Sequence, residues 1–163
     1  SNSTVTALSV SSNSTFTLRP TMPPPVFMKV FLDSTWAIGS SADSTIAFVA
    51  QAIAINSSLH STATNPSRLT PDSTGLYQLS AQFETSDPAL IARRTLTIQD
   101  SSAGAIAVGG GAGSSGVLQV NVTGYKRFDA TGGYAVARFT QAGGSTHSLS
   151  SGVGLTWFSM SKL

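Results

Sequence analysis

From Val26 onward, apolar residues recur at every second position in short runs, and each run is closed by a cluster of Gly, Ser, Asn, Asp or Pro. That period belongs to half-buried strands; no long stretch carries the 3.6-residue period of an amphipathic helix. The clearest case is TPDSTGLYQLSAQF, from Thr70 to Phe83. A turn-forming Pro-Asp-Ser-Thr-Gly cluster leads into an alternation. Tyr77, Leu79, Ala81 and Phe83 fall on one side, and Gln78, Ser80 and Gln82 on the other. VFMKVFLDS, ARRTLTIQD, AIAVGG, GVLQVNVTGY, YAVARFTQ and GLTWFSMSK read the same way, with joints at GGGAGSSG from Gly109, ATGGY from Ala130 and QAGGSTHS from Gln141. The alanines of TIAFVAQAIAINSS, residues 45–58, would suit a helix, but Ile46, Phe48, Ile53 and Ile55 favour a strand or a bulged pair, and a strand is expected. Roughly eight to ten short strands with regular turn signals predict an all-β chain, a sandwich or barrel.

The first 25 residues read differently. Val5, Leu8, Val10, Phe16 and Leu18 are too few for a core, and Pro20, Pro23, Pro24 and Pro25 follow them closely. Such a run is stiff and cannot enter a central strand. The expected organisation is an extended arm or stem over 1–25 and a globular head over 26–163. A head of that size can stabilise itself without disulfides, and the chain has no Cys, which excludes zinc-thiolate sites and a thiol nucleophile.

Charged residues make up only 10% of the chain, against about 25% in ordinary soluble domains. Hydroxyl-bearing and small residues replace them, the surface expected of a stable oligomer or an exposed fibrous protein. The net charge is +2, with the densest basic spots at Arg93-Arg94 and Lys126-Arg127; nucleic-acid binding needs many more phosphate contacts. No apolar stretch approaches a membrane span. The terminal Ser161-Lys162-Leu163 matches a peroxisomal tripeptide, and is read as the coincidental end of a last strand.

Little in the sequence supports catalysis. His60 and His147 are the only histidines, both among Ser and Thr, and no Gly-x-Ser-x-Gly elbow occurs. GGGAGSSG lacks the Lys-Ser/Thr and helix of a phosphate loop. The acidic residues are spread singly, without the converging oxygens that calcium requires. A non-enzymatic chain with no cofactor or metal is expected, and a small serine hydrolase is the weakest alternative.

The segment IAINSSLHSTATNPSRLTPDSTGLYQLSAQFE resembles the C1q/TNF-like jelly-roll family, in which an apolar strand, an Asn-containing turn, a hydrophilic bend, a short strand ending in Pro and a Gly-x-Tyr-x-Phe strand follow one another. Here that strand reads Gly75-Leu76-Tyr77-Gln78-Leu79. GSSGVLQVNVTGYKRFDATGGYAVARFTQAGGSTHSLSSGVGLTWFSM resembles the closing half. Departures are Gly132-Gly133-Tyr134 in place of the family's Gly-Asp turn, and Leu155-Thr156-Trp157-Phe158-Ser159-Met160 in place of its closing aromatic motif. The composition looks more like a bacterial or phage member, such as a fibre head.

The resemblance implies a two-sheet antiparallel jelly-roll sandwich and a homotrimer with the Tyr77 strand in the inner sheet. Gln78, Ser80, Gln82, Trp157 and Phe158 would then face a neighbouring subunit, where a charge would be desolvated against its symmetry mates. A plain solvent face that happens to lack charge is the alternative. Trp36, Tyr125 and Tyr134 are read at strand ends or turns and His147 in a loop, as anchors for a ligand; partly covered rim or plain surface residues are the alternative. The expected role is a receptor-binding or adhesion head, extracellular or on a virion surface, recognising a cell-surface glycan or protein. A purely structural assembly protein is the main alternative.

Overall fold

The computed structural model describes residues 25–39, 43–55, 59–86, 93–112, 117–129, 132–142 and 147–163. The strands are β1 (Phe27–Phe31), β2 (Trp36–Ile38), β3 (Asp43–Thr45), β4 (Ala50–Ile55), β5 (Arg68–Leu69) and β6 (Gly75–Ser86), then β7 (Arg93–Asp100), β8 (Ala105–Ala112), β9 (Val117–Phe128), β10 (Ala135–Ala142), β11 (His147–Leu149) and β12 (Trp157–Lys162). They form two sheets, every pairing antiparallel. The seven-stranded sheet runs β2-β11-β6-β12-β1-β4 with β9 on the free side of β6, and the five-stranded sheet runs β3-β10-β7-β8 with β5 also on β10. This is the jelly-roll sandwich. No helix occurs among the described residues.

Alternation becomes burial directly. Tyr77, Leu79, Ala81 and Phe83 of β6 are at most 1% exposed. They meet Leu96 and Ile98 of β7 and Ala137 and Phe139 of β10 in one core. Phe83 and Phe139 close the middle edge to face, with centroids 4.8 Å apart. At the end of the core the Tyr77 hydroxyl lies 2.9 Å from the Ser73 carbonyl oxygen and 3.0 Å from Asp72 Oδ1, and can donate to either. The turn cluster before β6 is thus tied to the strand it launches, and burial raises the Tyr77 pKa.

Two expectations change. Residues 45–58 are not one strand: β3 lies in the five-stranded sheet and β4 in the seven-stranded one. The chain crosses between them with Ile46 and Phe48 buried in the core and Val49 exposed. Of the joint read from Gly109, Gly109, Gly110 and Gly111 are part of β8, and residues 113–116 lie outside the described residues. Strand β8 lies so close to β9 that a Cβ on Gly109 would sit 2.5 Å from Val122 Cγ1, and one on Gly124 would sit 2.8 Å from the Ile106 carbonyl oxygen. Missing side chains, rather than backbone freedom, are what the glycines supply there.

The arm expected over 1–25 lies outside the described residues except for Pro25, which is exposed. Ser161 and Lys162 of the terminal tripeptide belong to β12, and the Leu163 amide donates to the Leu76 carbonyl.

Candidate functional site

The ladders across the seven-stranded sheet set three rows of outward side chains. Tyr125, Gln78, Ser161, Phe27 and Ile55 are successive partners in the first. Thr123, Ser80, Ser159, Lys29 and Ile53 make the second, and Asn121, Gln82, Trp157 and Phe31 the third. Lys29 is the charged member, and its ammonium lies 4.4 Å from the centre of the Trp157 ring. Ser80 and Thr123 hydroxyls are hydrogen-bonded at 2.9 Å. Tyr125 is 61% exposed, Ile53 46% and Ile55 41%. Further charges lie past the ends of the rows, at Glu84 opposite Gln119 and at Arg127 opposite Leu76.

The residues expected at a subunit interface do not all sit on this face. Gln78, Ser80, Gln82 and Trp157 do. Phe158 does not: it pairs with Ala81, whose side chain points into the sandwich, is 0% exposed, and packs on Phe48. Its side chain is core and cannot touch another subunit. Adjacent strand residues point oppositely, so Trp157 and Phe158 cannot share a surface. Leu155, inside the run GLTWFSMSK read as a strand, lies in the turn before β12, and its carbonyl accepts a bond from Gln82. The Gln82 amide donates to the Gly154 and Leu155 carbonyls at 2.7 and 3.0 Å. It therefore pins its own chain's turn rather than waiting for a partner.

The four residues expected in loops are not gathered at one place. Tyr125 is not in a turn; it lies within β9, opposite Gln78, and joins the outward face of the seven-stranded sheet. The alternation that placed Gln78 outward reaches Tyr125 only through the β6–β9 register, which the sequence does not show. Trp36 begins β2 and lines a groove of about 230 Å³ with Leu32, Ala47 and Val49. Tyr134 sits just before β10, with the Arg68 guanidinium 4.0 Å above its ring. His147 is the first residue of β11, in register with Ile38.

His60, Asp100 and Arg94 are held by groups of their own chain. The Nε2–H of His60 donates to the Pro66 carbonyl at 3.1 Å and its Nδ1 accepts from Gln51 at 3.3 Å, so neither nitrogen is placed to activate a serine. Asp100 anchors the turn after β7: its Oδ1 accepts from the Ser102 and Gly104 amides and the Ser102 hydroxyl. Its Oδ2 pairs with Lys126 at 2.7 Å. Lys126 and Ser102 hold the carboxyl far below the usual carboxylate range. Of the Arg93-Arg94 pair, Arg93 is exposed while Arg94 is 1% exposed. Arg94 donates to the Thr85 hydroxyl, and its Nε and Nη2 have no hydrogen-bond partner among the described residues. Among the described residues no group of three His, Cys, Asp or Glu could hold a metal ion, and no helix is long and apolar enough to cross a membrane.

Solved structures share this architecture. Murine APRIL superposes with a TM-score of 0.65 at 11% identity, over 85% of this chain and 99% of that one. The Eiger TNF of S. frugiperda gives 0.56 at 10%, over 86% and 94%. The globular domain of zebrafish complement 1qA gives 0.52 at 11%, over 83% and 94%. No family model matches the sequence, and no curated protein matches it. The chain thus has the C1q/TNF-like jelly-roll fold, and at such identities the likeness speaks for the fold alone.

Proposed function

We propose that this chain is a trimeric, non-enzymatic recognition head that binds a cell-surface glycan or protein, with residues 1–25 as its stem. The observation that carries the reading is the outward face of β6, β9, β12, β1 and β4. Three ladder rows there hold Tyr125, Phe27, Ile55, Ile53, Trp157 and Phe31 among amides and hydroxyls, with Lys29 folded over Trp157. Solvent faces of antiparallel sheets ordinarily carry charge, and contiguous exposed apolar area signals a partner. The C1q/TNF-like fold supports a second copy as that partner, because the resemblance puts this sheet innermost in a trimer.

Trimerisation multiplies weak contacts into avidity, which suits a ligand-binding head. An extracellular or virion-surface setting belongs to the same reading. The solved neighbours come from a mouse, an insect and a fish, so a fibre-tip role rests on the charge-poor composition alone. A purely structural assembly protein would use the same face and bind nothing else. Fluorescently labelled full-length chain applied to host cells and a glycan array separates the two: staining competed by unlabelled chain is expected, and none on any surface would leave only assembly.

A further inference from the structure

The outward face of the five-stranded sheet, on the other side of the sandwich, holds a polar cavity of about 270 Å³. Two short strands pair with the same edge of β10: β3 sets Thr45 opposite Arg138, and β5 sets Arg68 opposite Val136. Thr45, Arg68, Arg138 and Tyr134 all line the cavity, and Ser67 and Gln99 add a hydroxyl and an amide.

The charges there are not equivalent. Arg138 is engaged at both terminal nitrogens: Nη2 pairs with Asp43 at 2.6 Å and Nη1 donates to Gln99 Oε1 at 3.1 Å. Asp100, also in the lining, is taken by Lys126, Ser102 and Gly104. Arg68 is different. Its guanidinium carbon lies over the Tyr134 ring, 4.0 Å from the ring centre, and the ion pairs among the described residues are those of Lys126 and Arg138, not Arg68. Cation–π attraction to the ring steadies the guanidinium without using its N–H groups, which can serve as a fork for a carboxylate.

We propose that this cavity binds the carboxylate of one acidic sugar residue, a specification that rests on the recognition-head reading above. Arg68 takes the carboxylate, Tyr134 holds Arg68 in place, and Ser67, Thr45 and Gln99 meet the ring hydroxyls. The size suits a single monosaccharide, below the usual range for larger ligands. Asp100 in the same wall disfavours more highly charged anions such as phosphate. Walls of hydroxyl and amide suit a sugar ring better than the apolar stem of an acidic peptide side chain.

The test is NMR titration of the full chain with methyl glycosides of glucuronic, galacturonic and N-acetylneuraminic acids, against methyl glucoside. At least one acidic glycoside should bind in the millimolar range and about tenfold or more tighter than the neutral one, as expected for one charge-assisted fork. Methyl esterification of that glycoside's carboxyl should abolish the preference without touching the protein. Arg68→Gln should do the same with an unchanged melting temperature, and Arg68→Lys should retain part of it. Equal binding of acidic and neutral glycosides, or a preference that survives esterification, overturns the proposal. So does tighter binding of acetyl-Gly-Glu-Gly-amide than of any sugar. If the chain stains cells or arrays yet shows no acidic preference, this proposal fails alone; if it stains nothing, the recognition head fails first.

Discussion

A one-residue step in β12 separates two fates. Trp157 pairs with Gln82 and faces out, while Phe158 pairs with Ala81 and is core. The sequence shows two adjacent aromatics and no charge, so which of them is buried was legible only once the neighbouring strand's register was known. Asp100 is another position whose role geometry reveals: as a lone acid it gave no signal, yet it holds the turn in which Ala103 adopts φ 62° and pairs with Lys126. Its folded pKa is depressed. Its stabilisation is therefore fully present above the unfolded carboxyl pKa of about 3.9 and fades as the pH falls through the lower folded value. Asp100→Asn should lose about 1–2 kcal/mol at neutral pH, a moderate figure because Lys126 is partly solvent-screened. Urea unfolding at neutral pH and at about pH 2.5 checks it: the gap between the two proteins should shrink in acid. An equal gap at both would mean the ion pair is not the cause.

Among the elements, long alternating strands were readable and short ones were not. β6, β7 and β10 follow runs whose side-chain period shows which face is buried. β2 and β11 have three residues each and β5 has two, too few to display a period. The crossing between β3 and β4 was hidden for a related reason, because Ile46 and Phe48 continue the alternation while the chain changes sheet. The glycines of β8 misled because they answer to a neighbour in space, β9, not to a turn. Gly109→Val should therefore destabilise the fold by about 1–3 kcal/mol through overpacking against Val122. Gly154→Ala is the control: a Cβ there has nothing within 4 Å and should change stability by less than about 0.5 kcal/mol. Thermal unfolding of the two variants reads the contrast; similar losses would mean that β8 and β9 are not in such close contact.

For the whole molecule, the charge-poor composition and the sandwich point to the same surface. Gln78 stands between Tyr125 and Ser161 in a row without charge. In a trimer formed through this face, Gln78→Glu would desolvate a carboxylate in each subunit, so association should weaken by about tenfold or more while subunit unfolding changes little. Unchanged assembly with unchanged melting would place that side chain in water. Asn121 heads the sequon Asn121-Val122-Thr123 and is exposed on the same face. Chain made in a glycosylating host and modified there should accordingly fail to assemble, which mass analysis of the assembled fraction would show. Sedimentation equilibrium of the full chain at micromolar concentration tests the central claim most directly. The account predicts a species of three chain masses that dissociates only on dilution or denaturation; a single-chain mass across the whole concentration range would contradict it.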